Sequence, residues 1–250
     1  MHIKKIVMVT GGTRGIGYCI AAEFAKKGDR VIIIGKDFQR GARAQEEINR
    51  NHGECYFIEA DLSKKEEVER VFNYITAQYT AIDIAVNNAG IEGASFTLIH
   101  QYPEEIFDEV IDINLKSMWR CLKYQIPLML KNSLGGKIIN IASVAGLRAS
   151  LTGGTAYTAS KHGVIGLTKA ISREYASKNI RVNAICPGLV ATEEVKELIE
   201  IGKIKNIKNI HPIGRLIEPI EIANAVIWLS SKESDAITGI ALPIDGGALA

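Results

Sequence analysis

No C-x-x-C pair occurs in this chain, and its four cysteines (Cys19, Cys55, Cys121 and Cys186) are scattered without a histidine at ligand spacing. That excludes a Cys/His metal centre, so no metal is expected. Reduced, mostly buried thiols in a cytoplasmic protein are the expectation, and Cys186, beside a candidate site strand, is read the same way. Charge of one sign is also missing. The formal net charge is +2, and the densest basic stretch, residues 203–208, holds three lysines interleaved with isoleucine and asparagine. This excludes a dedicated nucleic-acid surface and predicts a solvated helix or loop. The opening MHIKKIVMVTGG is too short in apolar run for a signal peptide or membrane span, and a buried first strand explains it instead. There is no short repeat, low-complexity tract or linker, so residues 1–250 are expected to form one domain.

The 250 residues suffice for one large α/β domain, and 47% apolar with 23% charged residues is ordinary for a soluble globular protein. Strand-like runs alternate with helix-like runs. Residues 3–10, 30–35, 55–62, 82–90, 135–143, 180–188 and 240–245 read as strands, rich in β-branched residues and closed by turn residues. Helical periodicity follows at 18–27, 40–52, 104–130 and 219–231, while 189–213 has weak, mixed periodicity. Ser63 with Glu66 spells a capping box. Continuously apolar strands are buried on both faces, and strand–helix alternation implies right-handed crossovers. The predicted fold is a doubly wound α/β Rossmann fold with about seven parallel strands and helices on both faces.

Two motifs carry chemistry. TGGTRGIG at 10–17 lies between the first strand and the first helix. Gly11 permits a tight turn, Gly15 lets a phosphate approach the backbone, and Gly17 permits close helix–strand packing. The helix N-terminus beyond offers N–H donors and a positive dipole end. Tyr157 and Lys161, at i and i+4, share one helix face, with Ser143 fourteen residues before the tyrosine. A lysine charge ~4 Å from a phenol is worth ~4 kcal/mol at an effective dielectric near 20, so the pair is expected to lower the Tyr157 pKa.

TGGTRGIG, NNAG at 87–90, Asn114, Ser143, Y-x-x-x-K at 157–161 and PG at 187–188 come in the order and spacing of the short-chain dehydrogenase/reductases, which the whole chain resembles. The resemblance implies a catalytic tetrad of Asn114, Ser143, Tyr157 and Lys161. It implies a nicotinamide dinucleotide held by Gly11, Thr13, Arg14, Gly15, Ile16 and Gly17 at the pyrophosphate. Asp61 and Leu62 would lie on the adenine side, and Asn87, Ala89 and Gly90 at the ribose. Pro187, Gly188, Val190 and Thr192 would lie beside the nicotinamide, with Tyr157 and Lys161 also touching the cofactor. Asn114 would hold a relay water near Lys161, its alternative being to cap or kink its helix. Segment 189–213 corresponds to a substrate lid whose isoleucines close over substrate or pack in an oligomer. A homotetramer is implied as well.

NAD-preferring relatives place an acid at the end of the second strand. Here Gly35 stands there, followed by Lys36, and Arg14 lies in the glycine loop; two cations suit a 2′-phosphate. NADP(H) is therefore the expected cofactor. NAD(H) stays open because Asp37 is one residue away. Many relatives have thirteen residues from the serine to the tyrosine, so 147–155 is expected to carry one extra residue. Arg148 in that loop either grips an anionic substrate or lies on the surface. His211 is read as structural, and His162 as pointing away from the site. The expected activity is hydride transfer between NADP(H) and a small secondary alcohol or its ketone. The alternatives are an NAD-dependent sugar or cyclic-alcohol dehydrogenase and a non-catalytic dinucleotide sensor.

Overall fold

Valine and isoleucine recur along seven short strands because a β-branched side chain packs well on a pleated surface. In the computed structural model, which describes residues 4–51, 53–150, 152 and 154–250, these are β1 (Ile6–Thr10), β2 (Arg30–Gly35), β3 (Glu54–Glu59), β4 (Ile84–Asn87), β5 (Gly136–Ile141), β6 (Ile180–Pro187) and β7 (Ala241–Ile244). They form one sheet in the order β3-β2-β1-β4-β5-β6-β7. Every neighbouring pair is parallel. The order reverses between β1 and β4, which opens a crevice beyond the carboxyl ends of those strands.

The helices are α1 (Gly15–Lys26), α2 (Phe38–Arg50), α3 (Lys65–Gln78), α4 (Glu104–Ile111), α5 (Ser117–Leu130), α6 (Gly154–Tyr175), α7 (Glu193–Glu200), α8 (Ile207–Ile210) and α9 (Pro219–Leu229). Alternation along the strands sorts the core into two layers. Val7, Val9, Val31 and Ile33 pack with α1, α2 and α9. Met8, Ile32, Ile34 and Ile138 pack with α3, α5 and α6 on the other face. Each such fully buried side chain contributes roughly 1.5–3 kcal/mol relative to exposure. On the α5 and α6 face lie buried amides: Asn87 and Gln125 exchange hydrogen bonds of 2.8 and 3.1 Å, and Asn87 also donates to Asn140 Oδ1 at 2.9 Å.

Three local expectations need correction. Ser63 does not cap α3: that helix begins at Lys65 behind Lys64, with no side-chain cap bond. The Ser63 hydroxyl instead donates to Asp61 at 2.7 Å, a local turn that competes with capping. The long helix expected over 104–130 is interrupted by a π segment, Asp112–Lys116, that joins α4 to α5. Strand β3 ends at Glu59, so Asp61 and Leu62 lie in the turn beyond it. Ile3 of the expected first strand, and Leu151 and Gly153 of the 147–155 loop, lie outside the described residues.

Candidate active site

A cleft of about 760 Å³ opens at the carboxyl ends of the strands, from the turn after β1 to the segment after β6. Its floor at one end is the glycine loop. Gly11 has φ +63°, where a side chain is strained, and a Cβ on Gly17 would lie 2.2 Å from the Gly11 carbonyl oxygen. Only glycine lets α1 start this close to β1. The first turn of α1 carries no acidic residue. Its leading N–H groups, without intrahelical partners, and its positive dipole end therefore meet no local competitor for an anion. This cradle fits a pyrophosphate.

Beyond β2, Gly35, Lys36, Asp37 and Arg40 line the cleft. Asp37 is already engaged. It caps α2 by accepting from the Arg40 N–H at 3.0 Å, and it pairs with the Arg40 guanidinium at 3.3 Å. Across the crevice, burial alone would raise the Asp61 pKa, but hydrogen bonds from Ser63 hold it below the usual carboxylate value, helped by Lys64 and Lys36. Arg14 is ion-paired with Glu194 of α7.

The other end of the cleft gathers Ser143, Tyr157 and Lys161. Ser143 ends the extended segment after β5, and its hydroxyl accepts from the Ala145 N–H at 3.1 Å. The sequence spacing on α6 brings Lys161 beneath Tyr157, with Nζ 5.5 Å from the ring centroid. Lys161 is 4% exposed, and its Nζ donates to the Ile141 carbonyl at 3.0 Å. Burial pushes the lysine down to about 8. Burial also pushes the Tyr157 phenol up to about 12, against a smaller pull from the Ser143 hydroxyl and with a further push from Glu92. The expected lowering of the phenol by Lys161 is therefore not found among the protein groups alone, because desolvation by burial dominates the shift of each group.

Asn114 does not line the cleft wall. It is fully buried in the π segment, a feature common at functional sites. Its amide accepts from the Ile91 N–H and donates to the Ile91 carbonyl, both at 2.8 Å, and donates to Ser160 at 3.1 Å. It thus clamps the chain after NNAG onto α6. A Cβ on Gly90 would lie 3.1 Å from Asn114 Oδ1 and 3.6 Å from Lys161 Nζ, so the three residues abut.

Of the remaining expected residues, Thr13, Arg14, Gly15, Ile16, Lys36, Leu62, Ala89, Gly90, Pro187, Gly188, Val190 and Thr192 line the cleft. Asn87 does not. It is 1% exposed and turned into the buried amide network, while the next residue, Asn88, lines the cleft and holds the glycine loop through the Thr10 and Gly11 carbonyls. Strand alternation at the end of β4 is the reason and was a usable signal. His162 is exposed, as expected from its position on α6. Buried His211 accepts from the Leu189 N–H at 3.0 Å and bonds the Arg215 carbonyl at 2.9 Å. Cys186 is buried, its thiol pushed up to about 11 by burial. Arg148 lines the cleft, and its buried Nε has no partner among the described residues. Sequence reading missed Arg40 and Glu92, both on the cleft wall, since neither falls in a motif.

Known proteins match this arrangement. A family model described as enoyl-(acyl carrier protein) reductase matches residues 11–248. The chain is 42% identical to the 3-oxoacyl-[acyl-carrier-protein] reductase FabG of Chlamydia muridarum, over 98% of this chain and 97% of that one. It is 36% identical to the 3beta-hydroxysteroid dehydrogenase of Mediterraneibacter gnavus, over 98% and 94%. Among solved structures, ElxO with NADP bound superposes with a TM-score of 0.91 at 34% identity, covering 99% of each chain.

Proposed function

The chain belongs to the short-chain dehydrogenase/reductase family and is an NAD(P)-dependent oxidoreductase; on that premise we propose that it moves a hydride between NADP(H) and a small secondary alcohol or its ketone, with Tyr157 as general acid–base. The observation that carries the reading is one cleft with a glycine cradle at one end and Ser143, Tyr157 and Lys161 at the other.

The bound nicotinamide supplies or accepts the hydride. Gly11, Thr13, Gly15, Ile16 and the packing at Gly17 would hold the pyrophosphate at the start of α1, with Arg14 left for the 2′-phosphate. Tyr157 Oη gives its proton to the carbonyl oxygen in reduction and takes it back in oxidation. A phenol held protonated by burial suits the reductive direction at neutral pH. Ser143 orients that oxygen and stabilises its developing charge. Lys161, anchored on the Ile141 carbonyl, keeps further N–H donors for a ribose hydroxyl and for lowering the phenol once charge develops beside it. Asn114 fixes the floor through Ile91, and a relay water near Lys161 would bond the main chain of the π segment. Pro187, Gly188, Val190 and Thr192 edge the nicotinamide, and 189–213 acts as the lid.

NADP(H) is favoured over NAD(H) by Lys36, Arg40 and Arg14, which line the cleft together with Gly35, and by the engagement of Asp37 in capping and pairing. The NAD-dependent alternative needs Asp37 released. A dinucleotide sensor has no need of a half-buried Tyr157 over a buried Lys161. The proposal extends to one domain in a homotetramer, joined through exposed Phe107 and Trp119 on the α4–α5 face and Ile220 and Trp228 on α9. Parallel NADPH and NADH titrations, followed by a ketone panel with the tighter cofactor, test the reading. Tight NADPH binding with turnover supports it, preferential NADH binding reverses the cofactor assignment, and binding without any turnover favours the sensor.

A further inference from the structure

Glu92 is a charge on the cleft wall that the mechanism above leaves without a task. Its position is fixed from the backbone up. It follows Ile91, whose N–H and C=O are both held by Asn114 at 2.8 Å, and Asn114 is tied to α6 through Ser160. The Glu92 backbone is thereby locked to the helix that carries Tyr157. On the other side, the Phe96 N–H donates to the Thr152 carbonyl at 2.9 Å, joining the loop after Glu92 to the loop before α6.

The half-buried carboxylate has two hydroxyl neighbours. Ser95 Oγ donates to Oε2 at 3.1 Å, and Thr152 Oγ1 stands 3.5 Å from Oε1. An ionised carboxylate offers about four acceptor sites, so most of its capacity remains open. Glu92 forms no ion pair among the described residues, although Arg148 lines the same cleft. Its charge reaches Tyr157, where it opposes ionisation of the phenol. The acceptor thus lines the same cleft as Ser143 and Tyr157, into which the substrate's carbonyl must enter.

Resting on the proposed ketone-reductase reading, we propose that Glu92 is a specificity-determining residue that accepts a hydrogen bond from a neutral hydroxyl on the substrate, which makes the preferred substrate a hydroxyketone or the corresponding diol. Arg148 and Lys161 on the same walls disfavour a cationic donor. An anionic group placed against Glu92 would meet like charge. A hydrogen bond to a charged group disfavours the analogue lacking the hydroxyl, because the substrate then covers the open acceptor sites of the carboxylate without offering them a donor.

The test compares matched pairs, 3-hydroxy-2-butanone with 2-butanone and 2-hydroxycyclohexanone with cyclohexanone. Each pair is reduced with NADPH by the wild type, Glu92→Gln and Glu92→Ala. The wild type is expected to favour the hydroxylated member by about 10- to 100-fold in kcat/KM. Glu92→Ala should erase that ratio while holding turnover of the plain ketone within about threefold, and Glu92→Gln, which keeps an acceptor oxygen, should retain part of it. A role confined to tying the two loops together lowers both members equally and leaves the ratio intact, which overturns the proposal. So does a wild type that favours the plain ketone. No turnover of any ketone with NADPH defeats the underlying reading and this inference with it, whereas turnover without a Glu92-dependent ratio defeats the inference alone.

Discussion

Arg14 in the glycine loop is ion-paired with Glu194 in the first turn of α7. The pair bridges the proposed phosphate cradle and the proposed lid, and both side chains remain about half exposed, so its own contribution to stability is small. Its significance is competition. If Arg14 reads a 2′-phosphate, it must exchange one anion for another. Glu194→Gln should therefore tighten NADPH binding about two- to fivefold and leave NADH unchanged, measured by nucleotide fluorescence. The Arg14→Ala, Lys36→Ala double variant should lose roughly 10²-fold in NADPH affinity with little change for NADH. An equal change for both cofactors in either variant would contradict the cofactor assignment.

His211 staples the two roots of segment 189–215. The Leu189 N–H can only donate and the Arg215 carbonyl can only accept, so Nε2 accepts the first bond and Nδ1 donates the second. His211→Ala removes the side-chain partner of both the Leu189 N–H and the Arg215 carbonyl. It should cost about 1–3 kcal/mol in urea unfolding and weaken cofactor binding through the displaced Gly188–Val190 strip. Glutamine can both accept and donate, so His211→Gln should recover most of the loss. Failure of glutamine to outperform alanine would show that ring packing, not the two bonds, holds the strip.

Lys161 makes stability depend on alkaline pH. Burial depresses its folded pKa from 10.5 to about 8. Below pH 8 both states carry the proton and the folded state bears the full cost of a buried charge. From pH 8 to 10.5 the unfolded chain holds a proton that the folded chain has shed, so this group's contribution to stability rises with pH. Tyr157 acts oppositely and later: its folded pKa is raised from 10.0 to about 12, so its effect is lost stability between pH 10 and 12. Urea unfolding at pH 7.5 to 9.5 should show the wild type gaining on Lys161→Met by about 2 kcal/mol, at ~1.36 kcal/mol per pH unit. Parallel curves would mean that Lys161 keeps its proton in the fold.

The sheet was legible because buried parallel strands need continuous β-branched runs, and β2 and β6 announce themselves as RVIIIG and IRVNAICP. The glycine loop and the Tyr157–Lys161 spacing were equally plain, since turn geometry and helical period act over a few residues. What lay hidden depends on distant partners. The π segment around Asn114 is set by its bonds to Ile91 and Ser160, which no local pattern encodes. Asn87 and Asn88 look alike in sequence, yet the pleat sends one into the amide network and the other to the glycine loop. The expected lowering of Tyr157 failed because pair spacing carries no information about burial. Glu92 belongs to no motif, and only the fold brings it into the same cleft as Tyr157.

The most direct test of the account is single-turnover NADPH oxidation by the wild type and Tyr157→Phe with a ketone the wild type reduces, paired with NADPH titration of both proteins. The account predicts that removing the one hydroxyl lowers the rate of the chemical step by at least about 10²-fold, as expected for loss of a positioned general acid, with NADPH affinity within about threefold of wild type. Retained turnover in Tyr157→Phe would contradict it.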